Sequence, residues 1–186
     1  MTQEEIIKGC LKGKELYQYE LVQRYSSKLL GISRRYAKDL STAEDILQEA
    51  FIKAFKYIRN FDAEKGNLEA WLVRITINTA IDFNRKYGVN YDQGEYVINE
   101  GARLKTSPKA ISNLRVEEIV RLIATLPIGY QTVFNLFVID QYSHAEIAEM
   151  LEIKEATSRS QLNKARKMLQ KLLTNNENYR YEQRAI

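Results

Sequence analysis

Two small all-α domains joined by a flexible linker are the fold predicted here, on three observations. Apolar residues recur at three- and four-residue spacing over long stretches. Only 2 prolines and 8 glycines in 186 residues leave few places to break a helix. Three capping-box sequences, starting at Thr2, Ser41 and Ser143, put Ser or Thr three residues ahead of Glu at the head of an apolar run. Hydrophobic residues make up 45% of the chain, enough to build a core and to exclude wholesale disorder.

Thr2 and Glu5 open a short first helix that Gly9 and Gly13 are expected to end. A second helix is predicted from about Glu15 to Tyr36, with Leu16, Tyr19, Val22, Leu29 and Leu30 at near-helical spacing. The third begins at Ser41 and carries one broad apolar face: Ala43, Ile46, Leu47, Ala50, Phe51, Ala54, Phe55 and Ile58. At about 100° per residue, Asp45, Gln48, Glu49, Ile52 and Lys56 fall on its opposite face. Ile52 is out of place there, an aliphatic centred among acids and amides. Asn60 to Asn67 reads as a loop, with Phe61 inside it. A fourth helix, about Leu68 to Lys86, is apolar on more than one side, as if central to a bundle.

Helical periodicity is lost from Gly88 to about Ser112, first acidic (Asp92, Glu95, Glu100) and then basic (Arg103, Lys105, Lys109), which predicts a linker. The domains are therefore expected at 1–88 and 113–174, with a linker at 89–112 and a fraying polar tail at 175–186. In the second domain Leu114, Ile119, Leu122 and Ile123 suit one helix, and Pro127 is placed to start the next, with Val133, Phe134, Leu136, Phe137 and Val138.

The next pair of helices carries the chemistry. A short capped helix holds Ile147, Met150 and Leu151; a tight turn follows at Glu152-Ile153; a long helix then runs from about Glu155 to Leu173. This is a helix-turn-helix pattern. From Lys154 to Lys171 there are six cations against one acid, a net +5 beside the +4 of the whole chain. Ser158, Ser160, Gln161 and Asn163 are interleaved with those cations. Lys and Arg neutralise phosphates, while Arg, Ser, Gln and Asn can reach base edges in the major groove. DNA binding is the expectation. The turn needs a left-handed residue, usually glycine, and Glu152 occupies that position. His144 is read as a surface residue of the short helix.

Other classes lose ground. One cysteine and one histidine provide no metal-ligand spacing, no intrachain disulfide and no Cys/His pair. No catalytic residue, metal or cofactor is expected, and Asp45 and Glu49, with no histidine or pocket beside them, read as interface acids. No run approaches the 18 apolar residues of a membrane span, and the first ten residues do not resemble a signal peptide, so a cytoplasmic location is expected.

The sequence resembles the sigma-70 family of bacterial RNA polymerase sigma factors, in its extracytoplasmic-function (ECF) group. Ala43-Glu44-Asp45-Ile46-Leu47-Gln48-Glu49-Ala50-Phe51-Ile52-Lys53-Ala54-Phe55 is similar to the family's region 2.2, and Trp71-Leu72-Val73-Arg74-Ile75-Thr76-Ile77-Asn78 to region 2.3 running into 2.4. Leu126-Pro127 with Val133-Phe134-Asn135-Leu136 resembles region 4.1 into 4.2, and Tyr142 to Leu151 resembles the first helix of its helix-turn-helix. The resemblance implies a non-catalytic polymerase subunit. Asp45, Gln48, Glu49 and Ile52 would dock on the clamp helices of the largest subunit of core RNA polymerase. Phe61, Asn67, Trp71, Arg74 and Asn78 would capture the −10 promoter strand. Arg159, Ser160, Asn163 and Lys164 would read the −35 element, with Arg166 on phosphate or acidic neighbours. Contact with the polymerase flap and restraint by an anti-sigma factor are also implied by the family alone. Ala156 and Ser158 stand where the family often has a glycine and a branched apolar residue, which leaves the −35 sequence open. The residues by themselves also fit a stand-alone helix-turn-helix regulator, which would need neither an Ile52-centred face nor an aromatic single-strand loop.

Overall fold

The structure is a computed structural model and describes residues 1–92 and 116–184. Its described residues form helices and turns, and divide into two compact units, Met1–Gly88 and Val89–Ile186. The predicted linker residues 93–112, and Asn113 and Leu114 of the predicted fifth helix, lie outside the described residues.

In the first unit, α1 (Gln3–Leu11) has the predicted capping box, with the Thr2 side chain accepting from Glu5 N–H and the Glu5 carboxylate accepting from Thr2 N–H at 2.7 Å. Gly9 does not end this helix. It lies inside α1, where the Tyr17 ring packs so closely that a Cβ would sit 2.0 Å from Tyr17 Cγ. The turn falls instead at Gly13, whose φ of +67° suits glycine.

The second helix, α2 (Glu15–Arg34), packs against α1, α3 (Leu40–Tyr57) and α4 (Leu68–Lys86). Its buried stripe is Leu21, Tyr25, Leu29 and Ile32, while Leu16 and Tyr19 are each 63% exposed. The buried face thus lies further round the helix than periodicity predicts, because several helical stripes can be drawn through an apolar-rich segment. Ser41 does not cap α3: Asp39 does, its carboxylate accepting from Thr42 N–H at 2.8 Å. Asp39 starts the helix before Ser41 can, and that bond holds its carboxyl below the usual carboxylate range.

The second unit contains α5 (Val116–Ala124), α6 (Ile128–Phe134) running into a π turn (Asn135–Ile139), α7 (His144–Leu151) and α8 (Glu155–Arg184). Pro127 precedes α6 as its N-cap. The core joins Leu126 and Tyr130 to Ala165 of α8, with Phe134, Met168 and Leu169 packed alongside. Residues 175–184 continue α8, a stretch that holds neither glycine nor proline to stop a helix.

Candidate nucleic-acid and protein interfaces

On α3 the apolar face is buried as periodicity requires, with Ala43, Ile46, Ala50, Phe51 and Ala54 inside, and Ile58 just after the helix is buried too. Asp45, Gln48 and Ile52 share the outer face, and Ile52 is 66% exposed. Glu49 is half-buried and pairs with Lys53 at 3.8 Å, which in turn reaches Asp82 of α4 at 3.0 Å. The result is an aliphatic centre with acids and an amide around it, the composition of a protein-docking patch with a polar rim.

The loop that follows is two short 3₁₀ turns, Ile58–Asn60 and Ala63–Lys65. Phe61 between them meets Trp71 of α4 edge to face, ring centres 5.6 Å apart at 62°. Both rings are partly exposed, so a stacking surface remains. Trp71, Arg74 and Asn78 recur at three and four residues and share one face of α4, on which Arg74 and Asn78 are exposed. Asn67 is also exposed, but its side-chain oxygen caps α4 by accepting from Ala70 N–H at 2.7 Å. An amide is set into the apolar side of α4 at Asn84, which is buried and donates to the Tyr36 carbonyl at 2.9 Å. Its reason is structural: it joins α4 to the end of α2.

The turn of the helix-turn-helix is built as the sequence requires. Glu152 is left-handed at φ 56° and ψ 44°, and Ile153 N–H closes back on the Ala148 carbonyl at 3.0 Å. At Ser143 the capping box is complete. On α8, Arg159, Ser160, Asn163 and Lys164 are all exposed, as are Arg166 and Lys167. Arg159 is ion-paired with Glu155, and the Ser160 hydroxyl donates to the Thr157 carbonyl at 3.0 Å. An exposed, cationic helix surface is therefore present, with polar side chains set among its charges.

Two residues expected on that surface turn inward. Ser158 and Gln161 are fully buried. Ser158 lies 2.9 Å from His144 Nδ1. Gln161 Nε2 donates to the Tyr91 carbonyl, and its Oε1 has no hydrogen-bond partner among the described residues. Tyr91, expected in a solvated linker, is only 3% exposed and belongs to the second unit.

His144 is likewise not a plain surface residue. It is half-buried and stacks on Phe137, ring centres 4.4 Å apart at 21°. Arg166, expected on phosphate or acids, has its guanidinium 5.9 Å from the centre of that same Phe137 ring. Burial, and then the charge of Arg159, push the His144 pKa below its ordinary value.

Among the described residues no group of three His, Cys, Asp or Glu side chains could hold a metal ion, and no helix is long and apolar enough to cross a membrane.

Comparison with known proteins covers both units. Residues 21–88 match the family described as Sigma-70 region 2, and residues 116–169 match Sigma-70, region 4. The chain is 33% identical over 177 residues to the ECF RNA polymerase sigma factor SigW of Bacillus subtilis, spanning 90% of this chain and 94% of that protein. It is 28% identical over 184 residues to the ECF RNA polymerase sigma-E factor of Haemophilus influenzae, spanning 91% and 94%. The sigma factor RpoE of Bartonella quintana, solved in complex with the anti-sigma factor NepR, shares the fold at a TM-score of 0.54 and 21% identity, over 84% of this chain and 96% of that one.

Proposed function

This chain belongs to the sigma-70 family of RNA polymerase sigma factors, in its ECF group, and from that premise we propose how its surfaces share the work of directing polymerase to promoters. The outer face of α3, with Ile52 between Asp45, Gln48 and Glu49, docks on the clamp helices of core polymerase. Phe61 and Trp71 offer stacking surface to the −10 strand, Arg74 supplies a cation, and Asn78 an amide, so the first unit captures single-stranded DNA and promotes melting. Asn67 contributes by capping α4 and so fixing the position of Trp71. The second unit puts α8 into the major groove at −35, where Arg159, Ser160, Asn163 and Lys164 read bases and phosphates. It also meets the polymerase flap.

The chain carries out no chemistry itself; the nucleotidyl transfer belongs to polymerase. Its place of action is the cytoplasm, with the polymerase and the promoter DNA. An anti-sigma factor is the further partner proposed, on family grounds.

The observation that carries the reading is Ile52: a largely exposed aliphatic centred among acids and an amide, on a helix face that a soluble bundle would keep polar. A stand-alone regulator has no use for that face. The test adds purified chain to core RNA polymerase on a library of promoter fragments and measures run-off transcripts. Specific transcripts that depend on the chain are expected. Absence of both transcripts and core binding, with DNA binding by the chain alone, would establish the regulator instead.

A further inference from the structure

Helices α7 and α8 pack together, and each buries apolar residues whose contacts have no preferred direction: Ile147 and Leu151 on one helix, Leu162 and Ala165 on the other. Such a seam holds two helices together but leaves their relative rotation weakly specified. With side chains, a helix is about 10–12 Å across, so a roll of α8 by roughly 20° would move a reading group by about 2 Å. A base-edge hydrogen bond tolerates only a few tenths of that.

A directional tie crosses this seam. His144, the first residue of α7, has Nδ1 2.9 Å from the hydroxyl of Ser158, which is fully buried on α8 directly before Arg159. The same imidazole is stacked on Phe137 of the π turn, and Arg166, two turns along α8 from Arg159, sits over that ring as well. Three consecutive elements therefore meet at one imidazole. Hydrogen bonds have preferred angles and stacked rings a preferred plane, so this junction specifies a roll that the aliphatic seam does not.

We infer that His144 is a positioning residue for promoter reading: through Ser158 and Phe137 it sets the rotation of α8, and with it the sequence discrimination of Arg159 and Asn163. The inference rests on the proposed role of α8 at −35. It assigns His144 no contact with a base. Loss of the tie leaves the cations on the same helix, so phosphate-driven affinity persists while discrimination falls.

The test uses the full chain with core polymerase, on a promoter fragment retrieved by the run-off screen and on a copy with its upstream element scrambled. His144→Phe keeps a stacking ring and loses the tie. Ser158→Ala removes the other partner without adding bulk. His144→Asn places a side-chain amide where Nδ1 was. His144→Phe and Ser158→Ala are each expected to lower the specific-to-scrambled affinity ratio about tenfold, the size of one misplaced base contact. The double variant should lose no more than either single, the scrambled-DNA affinity should stay unchanged, and His144→Asn should restore most of the ratio. A purely structural role would lower thermal stability and leave the ratio alone. An unchanged ratio in both single variants, losses that multiply in the double variant, or equal losses on both DNAs overturn the inference. Asn163→Ala separates the two levels. If it leaves the ratio intact, or if the screen retrieves no promoter, the reading of α8 fails and this inference with it. If it abolishes the ratio while His144→Phe does not, only the inference fails.

Discussion

Replacing Ile52 tests the proposed docking face where its geometry is most specific. The side chain is 66% exposed. Full burial of an isoleucine is worth about 1.5–3 kcal/mol, so covering the exposed two thirds gives about 1–2 kcal/mol, and Ile52→Ala should weaken core polymerase binding about five- to thirtyfold. Ile52→Glu should cost more, since it also buries a carboxylate without a partner at the centre of the patch. Neither change should harm the fold. An exposed substitution typically stays within about 0.5 kcal/mol, and alanine gains a few tenths in helix propensity. Fluorescence titration of labelled chain against core enzyme gives the affinity, and thermal melting gives the fold. Binding within twofold of the parent for both variants would refute the placement of the interface. A collapse of the melting transition would show Ile52 to be a core residue, against its exposure.

Asn67→Ala should destabilise the first unit by about 1 kcal/mol through the lost α4 cap, whereas Asn67→Asp should keep stability, because Asp caps equally well, yet weaken −10 DNA binding by adding negative charge; paired thermal melts and single-strand binding assays distinguish cap from contact. Glu152→Gly should raise the melting stability of the second unit by about 1 kcal/mol, by relieving a left-handed residue at φ 56°. Stability should also fall on acidification through His144. Its folded pKa is depressed below 6.5 by burial and by Arg159 and Arg166, against the opposing Glu155, all three on α8, while Phe137 brings no charge from the π turn. Between that depressed value and 6.5 the unfolded chain binds more protons, so stability is full above pH 6.5 and declines as pH drops through the window. Melting of the parent and of His144→Phe across roughly pH 5–8 should show this slope in the parent only.

Local chemistry made much of this protein legible from its residues. The capping boxes at Thr2 and Ser143 and the left-handed turn at Glu152 depend on a few neighbouring residues, and they form as expected. The inner face of α3 follows from a single strong period, which is why periodicity alone marks Ile52 as a misfit. The failures share one cause. A helical period says how wide a face is, but what packs against the helix decides where that face begins, and α2 therefore turned Leu21 and Tyr25 inward and left Leu16 and Tyr19 outside.

Polar residues show the same limit more sharply. Ser158, Gln161 and Asn84 look like surface groups by type, and each is buried because a partner elsewhere in the chain receives it: Ser158 by His144, Gln161 by the Tyr91 carbonyl 70 residues away, Asn84 by the Tyr36 carbonyl 48 residues away. Burying a polar group is tolerable only when such a partner exists. Composition and spacing settled that α8 is a cationic helix behind a tight turn. Only tertiary packing decided which of its polar side chains face outward and which are held inside.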